Sequence, residues 1–218
     1  MHSQGAGAGP KKRQGAVSSI TDDEIREKYL ERAIRELNDL GRDLAACQDC
    51  PRGNVMPVQG SGHPQADIFM LKRAATPSEI EEGVAFYGRS GTALMKSLKR
   101  LNIDPLAVYG TLCVKCPVAD PSLADPACIA RVVDEFAIVQ PKIVVVMGDD
   151  ALDTLNDLNV PLARTVEPEP GAIQPFTPAC EALVVPNIDD SLDEEAAKRA
   201  FWSAFRVLGE WYAELPPY

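Results

Sequence analysis

No run of about 18 apolar residues occurs in the 218-residue chain, so no membrane-spanning helix is expected. The first residues hold no apolar stretch of the kind a secretory signal needs. Internal repeats are absent as well, which leaves no repeat architecture to consider. Positive charge is scarce: 22 Lys and Arg face 32 Asp and Glu, for a net −10. That balance argues against a protein that grips nucleic acid over its whole surface. The expectation is a cytoplasmic monomer with no membrane contact. In that compartment six cysteines are read first as metal or redox ligands, not as disulfides.

What is present suffices for a core, since 45% of the residues are hydrophobic. The length favours one domain, placed at residues 21–218 behind a disordered tail at 1–20. Charge is unevenly spread. Residues 72–115 carry seven basic side chains against four acidic ones, and the segment from Asp150 onward carries thirteen acidic against four basic. The first segment is the candidate DNA-facing surface; the acidic C-terminal third suits a protein partner better.

Thr21-Asp22-Asp23-Glu24 has the spacing of a capping box. It opens a helix predicted over 21–45 with Ile25, Leu30, Ala33, Ile34, Leu37 and Leu44 as its apolar stripe. Strands are predicted at 66–71, 108–114, 142–148 and 182–186. Lys142 to Gly148, with its unbroken β-branched run, reads as a central parallel strand. Helices are predicted at about 92–101, 127–139 and 148–158, with a last one capped by Ser191 or Asp193. Residues 76–87 read as a loop or short helix. Residues 160–181 carry five prolines and read as mostly loop. Strands alternating with helices give an α/β fold: a three-layer αβα sandwich around a mostly parallel, four-stranded central sheet. Ligands then sit beyond the carboxyl ends of the strands, in the loops after Lys72, Cys116, Gly148 and Asn187.

Cys47-Gln48-Asp49-Cys50 offers half of a metal site. Two completions exist. Cys47, Cys50, Cys113 and Cys116 would suit tetrahedral zinc. Cys47, Cys50, Cys116 and Cys128 would suit an iron–sulfur cube. Cys113 falls inside a strand, where it faces the core, while Cys116 and Cys128 flank a loop able to fold over a cluster. The second set is favoured, with Cys113 and Cys180 as small buried hydrophobes. His63, next to a proline in a turn-rich loop, is given no role.

The ordered motifs Cys47-x-x-Cys50-Pro51-Arg52, Ala66–Met70, Phe86-Tyr87-Gly88-Arg89-Ser90-Gly91, Val114-Lys115-Cys116 and Pro141–Gly148 resemble those of the family 4 uracil-DNA glycosylases. These are the iron–sulfur branch of the uracil-DNA glycosylase superfamily. The resemblance runs from about Leu44 to the C-terminus. It implies a 4Fe-4S cluster on Cys47, Cys50, Cys116 and Cys128, and Phe86 as the ring on which uracil stacks. The departures fall on the chemistry. Arg73 stands where the family has the acidic residue that places the attacking water. Leu112 stands where an asparagine reads the uracil edge. Asp189 stands where a histidine stabilises the departing base. A base flipped from DNA is read by hydrogen bonds to its edge, which leucine cannot make.

Three functions follow. The first is a degenerate glycosylase that keeps fold and cluster and serves as a DNA- or protein-binding module, with Lys72, Arg73, Arg89 and Lys115 forming a basic pocket. The second is an active, divergent glycosylase in which Asp189 or Asp190 places the water and Lys72 or Arg73 stabilises the leaving base. The third is a zinc-stabilised module.

Overall fold

A computed structural model describes residues 21–216. The predicted tail at 1–20 lies outside the described residues. Helix α1 spans Asp22–Ala46. Its capping box forms as predicted, with the Glu24 amide donating to Thr21 Oγ1 and the Thr21 amide donating to Glu24 Oε2. Only part of its apolar stripe is covered. Ala33 and Leu44 are buried, whereas Ile25 and Ile34 are exposed.

The sheet has six strands in the order β1-β3-β2-β4-β6-β5. Here β1 is Ser61–Gly62, β2 Ile68–Ala74, β3 Val108–Val114, β4 Ile143–Met147, β5 Ile173–Thr177 and β6 Cys180–Val185. The four inner strands pair in parallel, and β1 and β5 add antiparallel edges. The expected four-stranded sheet is therefore the centre of a mixed sheet of six. The sequence reading missed β5 because of its proline content. Pro175 has no amide to donate, and an edge strand can accommodate that.

The connecting helices are α2 (Pro77–Glu82), α3 (Gly88–Arg100), α4 (Pro126–Val139), α5 (Asp149–Asp157) and α6 (Glu195–Ala213). Helix α3 starts four residues earlier than predicted, because Gly88 takes φ +78 and turns the chain into the helix at once. Helix α6 is preceded by Glu194, not by Ser191 or Asp193. The Ser191 hydroxyl instead donates to the Asn187 carbonyl at 2.7 Å.

Alternation along the inner strands divides the core in two. Phe69, Leu71, Tyr109, Cys113, Val144 and Val146 pack on one side with residues of α4 and α5. Ile68, Met70, Val145, Met147 and Val185 pack on the other with residues of α3 and α6. After β2 the chain moves to β3 on one side and then to β4 on the other. The carboxyl end of β2 is thus the switch point, where open α/β sheets hold their ligands.

Candidate functional site

Two sites lie at the carboxyl ends of the strands. The first is made of thiols. Cys50 follows α1, Cys116 lies two residues past β3, and Cys128 is in the first turns of α4. Their sulfurs lie within 4.8 Å of one another, and all three residues are buried. The Cys128 and Cys116 sulfurs are 3.5 Å apart, and the Asp125 amide donates to Cys50 Sγ at 3.3 Å. Leu44, Val114 and Ala124 enclose them. This buried set of three can hold a metal ion. Desolvation and mutual proximity push the Cys116 thiol well above its ordinary value, and desolvation raises Cys50. A bound cation removes those protons.

Cys47, expected as the fourth ligand, is not in this set. It is half-buried and its thiol donates to Asp49 Oδ2 at 3.1 Å. Cys113, the alternative fourth ligand, is on the α4–α5 side of the sheet in a separate apolar cluster. That placement removes the Cys47, Cys50, Cys113, Cys116 combination. Around a zinc ion, four thiolates at about 2.3 Å stand about 3.8 Å apart. The Cys116–Cys128 contact, at 3.5 Å, is close to that separation.

Arg52 explains how the CxxC loop is held. Its guanidinium is buried and donates to the carbonyls of Ala45 at 3.0 Å, Cys47 at 2.7 Å and Val55. It ties off the last turn of α1, whose carbonyls lack partners within the helix, and fixes the turn that carries Cys50.

The second site lies at the switch point. Lys72 and Leu112 are register partners on adjacent strands and share the α3–α6 side of the sheet. Lys72 Nζ is 2.7 Å from Glu79 Oε2 and 2.7 Å from Asp189 Oδ2. It also lies 5.4 Å from the centre of the Phe86 ring. Lys72 is 1% exposed, Glu79 and Leu112 0%. Glu79 accepts as well from the Phe86 amide (2.5 Å) and from the Thr76 amide and hydroxyl (2.7 and 2.9 Å). These bonds hold Phe86 at φ +59, a strained conformation for a side chain of this size. Its ring lies over Gly110, where a Cβ would stand 2.6 Å from Phe86 Cδ2. Leu112 fills the remaining space with Val58 and Ala85. Asp189 keeps one oxygen, Oδ1, buried with no hydrogen-bond partner among the described residues.

Sequence reasoning missed Glu79, the hub of this site. The signal was available in Thr76-Pro77-Ser78-Glu79, the spacing of a second capping box.

The four cations of the expected basic pocket do not converge. Arg73 follows Lys72 in β2 and so points to the opposite side of the sheet, where its guanidinium meets the Thr154 hydroxyl. Lys115 is buried against Glu135 at 2.8 Å and the Leu112 carbonyl at 2.8 Å. Arg89 pairs with Asp193 on the surface. Each is spent on a separate partner, so the shared pocket is corrected to four separate contacts.

The model of the uracil DNA glycosylase superfamily matches residues 59–206, a span that includes both switch-point strands and the Asp189 loop. The chain belongs to the uracil DNA glycosylase superfamily. The match also includes Cys116 and Cys128, while Cys47 and Cys50 precede it. A comparison with curated proteins finds no match. Lys72, Glu79, Leu112 and Asp189 all fall within the matched span. No helix among the described residues is long and apolar enough to cross a membrane.

Proposed function

We propose that this protein is a degenerate member of the iron–sulfur branch, family 4, that has lost uracil excision and serves as a binding module in DNA repair. In this reading residues 21–218 act as one cytoplasmic, monomeric domain. The observation that carries it is Lys72 Nζ held between Glu79 and Asp189, at 2.7 Å from each, beneath Phe86. A base could enter only by displacing a buried cation from two carboxylates. It would then meet Leu112, which offers no hydrogen bond to its edge. Each polar group of the base edge left buried without a partner there would cost about 1–3 kcal/mol.

The thiols hold the cofactor in this reading. The donor set is all sulfur, buried and apolar in its surroundings, which suits a 4Fe-4S cluster or zinc. Cys50, Cys116 and Cys128 supply three ligands. Cys47, one helix end away, supplies the fourth by turning its side chain from Asp49. The centre's work is structural: it joins α1, the end of β3 and the start of α4. DNA is the partner favoured by superfamily membership. The acidic C-terminal third is the surface for a protein.

The unpartnered Oδ1 of Asp189 favours a second reading, an active divergent glycosylase in which this oxygen holds the attacking water. An excision assay separates the two, using single- and double-stranded DNA that carries uracil or hypoxanthine. The expected result is no base release from protein with its metal centre fully loaded. Release that Asp189→Ala abolishes overturns the degenerate reading. Iron and sulfide analysis of purified protein tests the cofactor; a colourless protein with one zinc places it outside the iron–sulfur branch.

A further inference from the structure

The exposed side of α3 combines an apolar side chain, Met95, with two lysines, Lys96 and Lys99. Helix α3 has thirteen residues, about 20 Å of length. Its inward positions Leu94 and Leu98 are buried. Its outward side carries Met95, 48% exposed. Met95 lines a groove of about 980 Å³ together with Phe86, Tyr87, Lys96, Lys99 and Ile103. Tyr87 is also 48% exposed, and Leu106, just past the groove's end, is 67% exposed. Two lysines one helical turn apart, Lys96 and Lys99, form its rim. Neither has an ion-pair partner among the described residues. Asp104, the acid at the groove, is committed to its own turn, where it accepts from the Leu106 amide at 2.9 Å.

We propose that this groove docks an acidic, amphipathic helix of a partner protein. The length of α3 matches about three turns of such a helix, with apolar anchors at i, i+3 or i+4, and i+7. Methionine is an adaptable contact that suits such grooves. The two free lysines select acidic flanks, since opposite charges across an interface speed encounter and set register. Met95, Ile103 and Pro105 are its aliphatic side chains, and Tyr87 is its one exposed ring, since Phe86 is half-buried over Gly110. A single-stranded nucleic acid binds better to several stacking rings along a basic track, so the peptide is favoured. Lys72, Glu79 and Asp189 do not line the groove, but Phe86 does, and its ring lies 5.4 Å from Lys72 Nζ, so the groove adjoins the switch point.

Selection from a phage-displayed library of random peptides of about 16 residues, four helical turns, tests this on the full-length protein. Enriched peptides are expected to carry net negative charge and apolar residues at three- and four-residue spacing. Met95→Asp is expected to weaken them about tenfold or more, and Lys96→Glu with Lys99→Glu by a similar factor. All three positions are exposed, and an unchanged circular dichroism spectrum verifies the fold. Enrichment of basic peptides, binding insensitive to Met95→Asp, or no enrichment at all overturns the proposal. So does displacement of the peptides by fluorescent oligothymidylate bound at the same residues, which would make the groove a nucleic-acid track.

Discussion

The thiol centre and the switch-point site both occupy the carboxyl edge of the sheet, and both are buried. They differ in what their polar atoms are doing. At the first, three sulfurs face one another with no ion pair among them, a donor set that can hold a metal ion. At the switch point, a cation, two carboxylates, a hydroxyl and two amides satisfy one another almost completely. The first arrangement is a socket and the second is a plug. Burial alone therefore says little about function. The question at each site is whether its donors and acceptors still lack partners.

The sharpest test of this contrast removes a thiol. Cys128→Ala is expected to abolish metal binding, read by elemental analysis and loss of visible colour, and to cost several kcal/mol in denaturant melts, of the order that structural metals contribute. A protein equally stable and equally loaded would break the contrast from the socket side.

Lys72→Ala attacks the plug. It leaves Glu79 buried with no cation, a loss on the order of 3–5 kcal/mol, measurable as a shift in urea midpoint. Lys72→Met paired with Glu79→Gln should recover most of that, because a neutral pair needs no counter-charge. If the single variant is as stable as the parent, the ion pairs do not hold the pocket shut.

A smaller effect comes from Cys113, which sits in β3 between the two sites and belongs to neither. Burial pushes its thiol up to about 11. The unfolded thiol ionises near 8.5–9. A raised folded value means that stability is fully present below about pH 9 and is lost as pH rises toward 11, by about 2–3 kcal/mol. Urea midpoints at pH 8 and pH 10.5 should therefore converge in Cys113→Ala. An unchanged pH slope would mean that this thiol is not the group being protected.

Much of the fold was legible because its signals are local. The continuous apolar run of β4, the capping box of α1 and the proline-opened α4 each declare themselves within a few residues. The antiparallel edges did not, since β1 is two residues long and β5 carries a proline inside it. The thiol centre was legible in outline, with Cys113 correctly set aside, because a strand interior and a loop treat cysteine differently. The side-chain direction of Cys47 was not, because it depends on a contact with Asp49. The resemblance drew attention to Leu112 and Asp189 in the sequence. Their surroundings were not legible there. Lys72 and Glu79 are seven residues apart, but Asp189 is 117 residues from Lys72, and only the parallel pairing of β2 with β4 and of β4 with β6 brings it near. The expected basic pocket failed for a simpler reason: Lys72 and Arg73 are neighbours in a strand, and neighbours in a strand point apart.

The order of the thiols along the chain has a consequence for biosynthesis. Cys50, Cys116 and Cys128 all precede β4. The ribosome therefore delivers all three clustered thiols before it makes the strand that pairs with the free edge of β2. A nascent chain ending just past α4 already holds α1, β2, β3 and the cysteines, while β2 still has one edge unpaired. Loading of the centre at that stage would fasten the N-terminal half around its metal and leave β2 waiting for β4. A shortage of iron or zinc during translation would act earlier than any loss from the finished protein, on a half-made sheet with an open edge, where misassembly competes with folding.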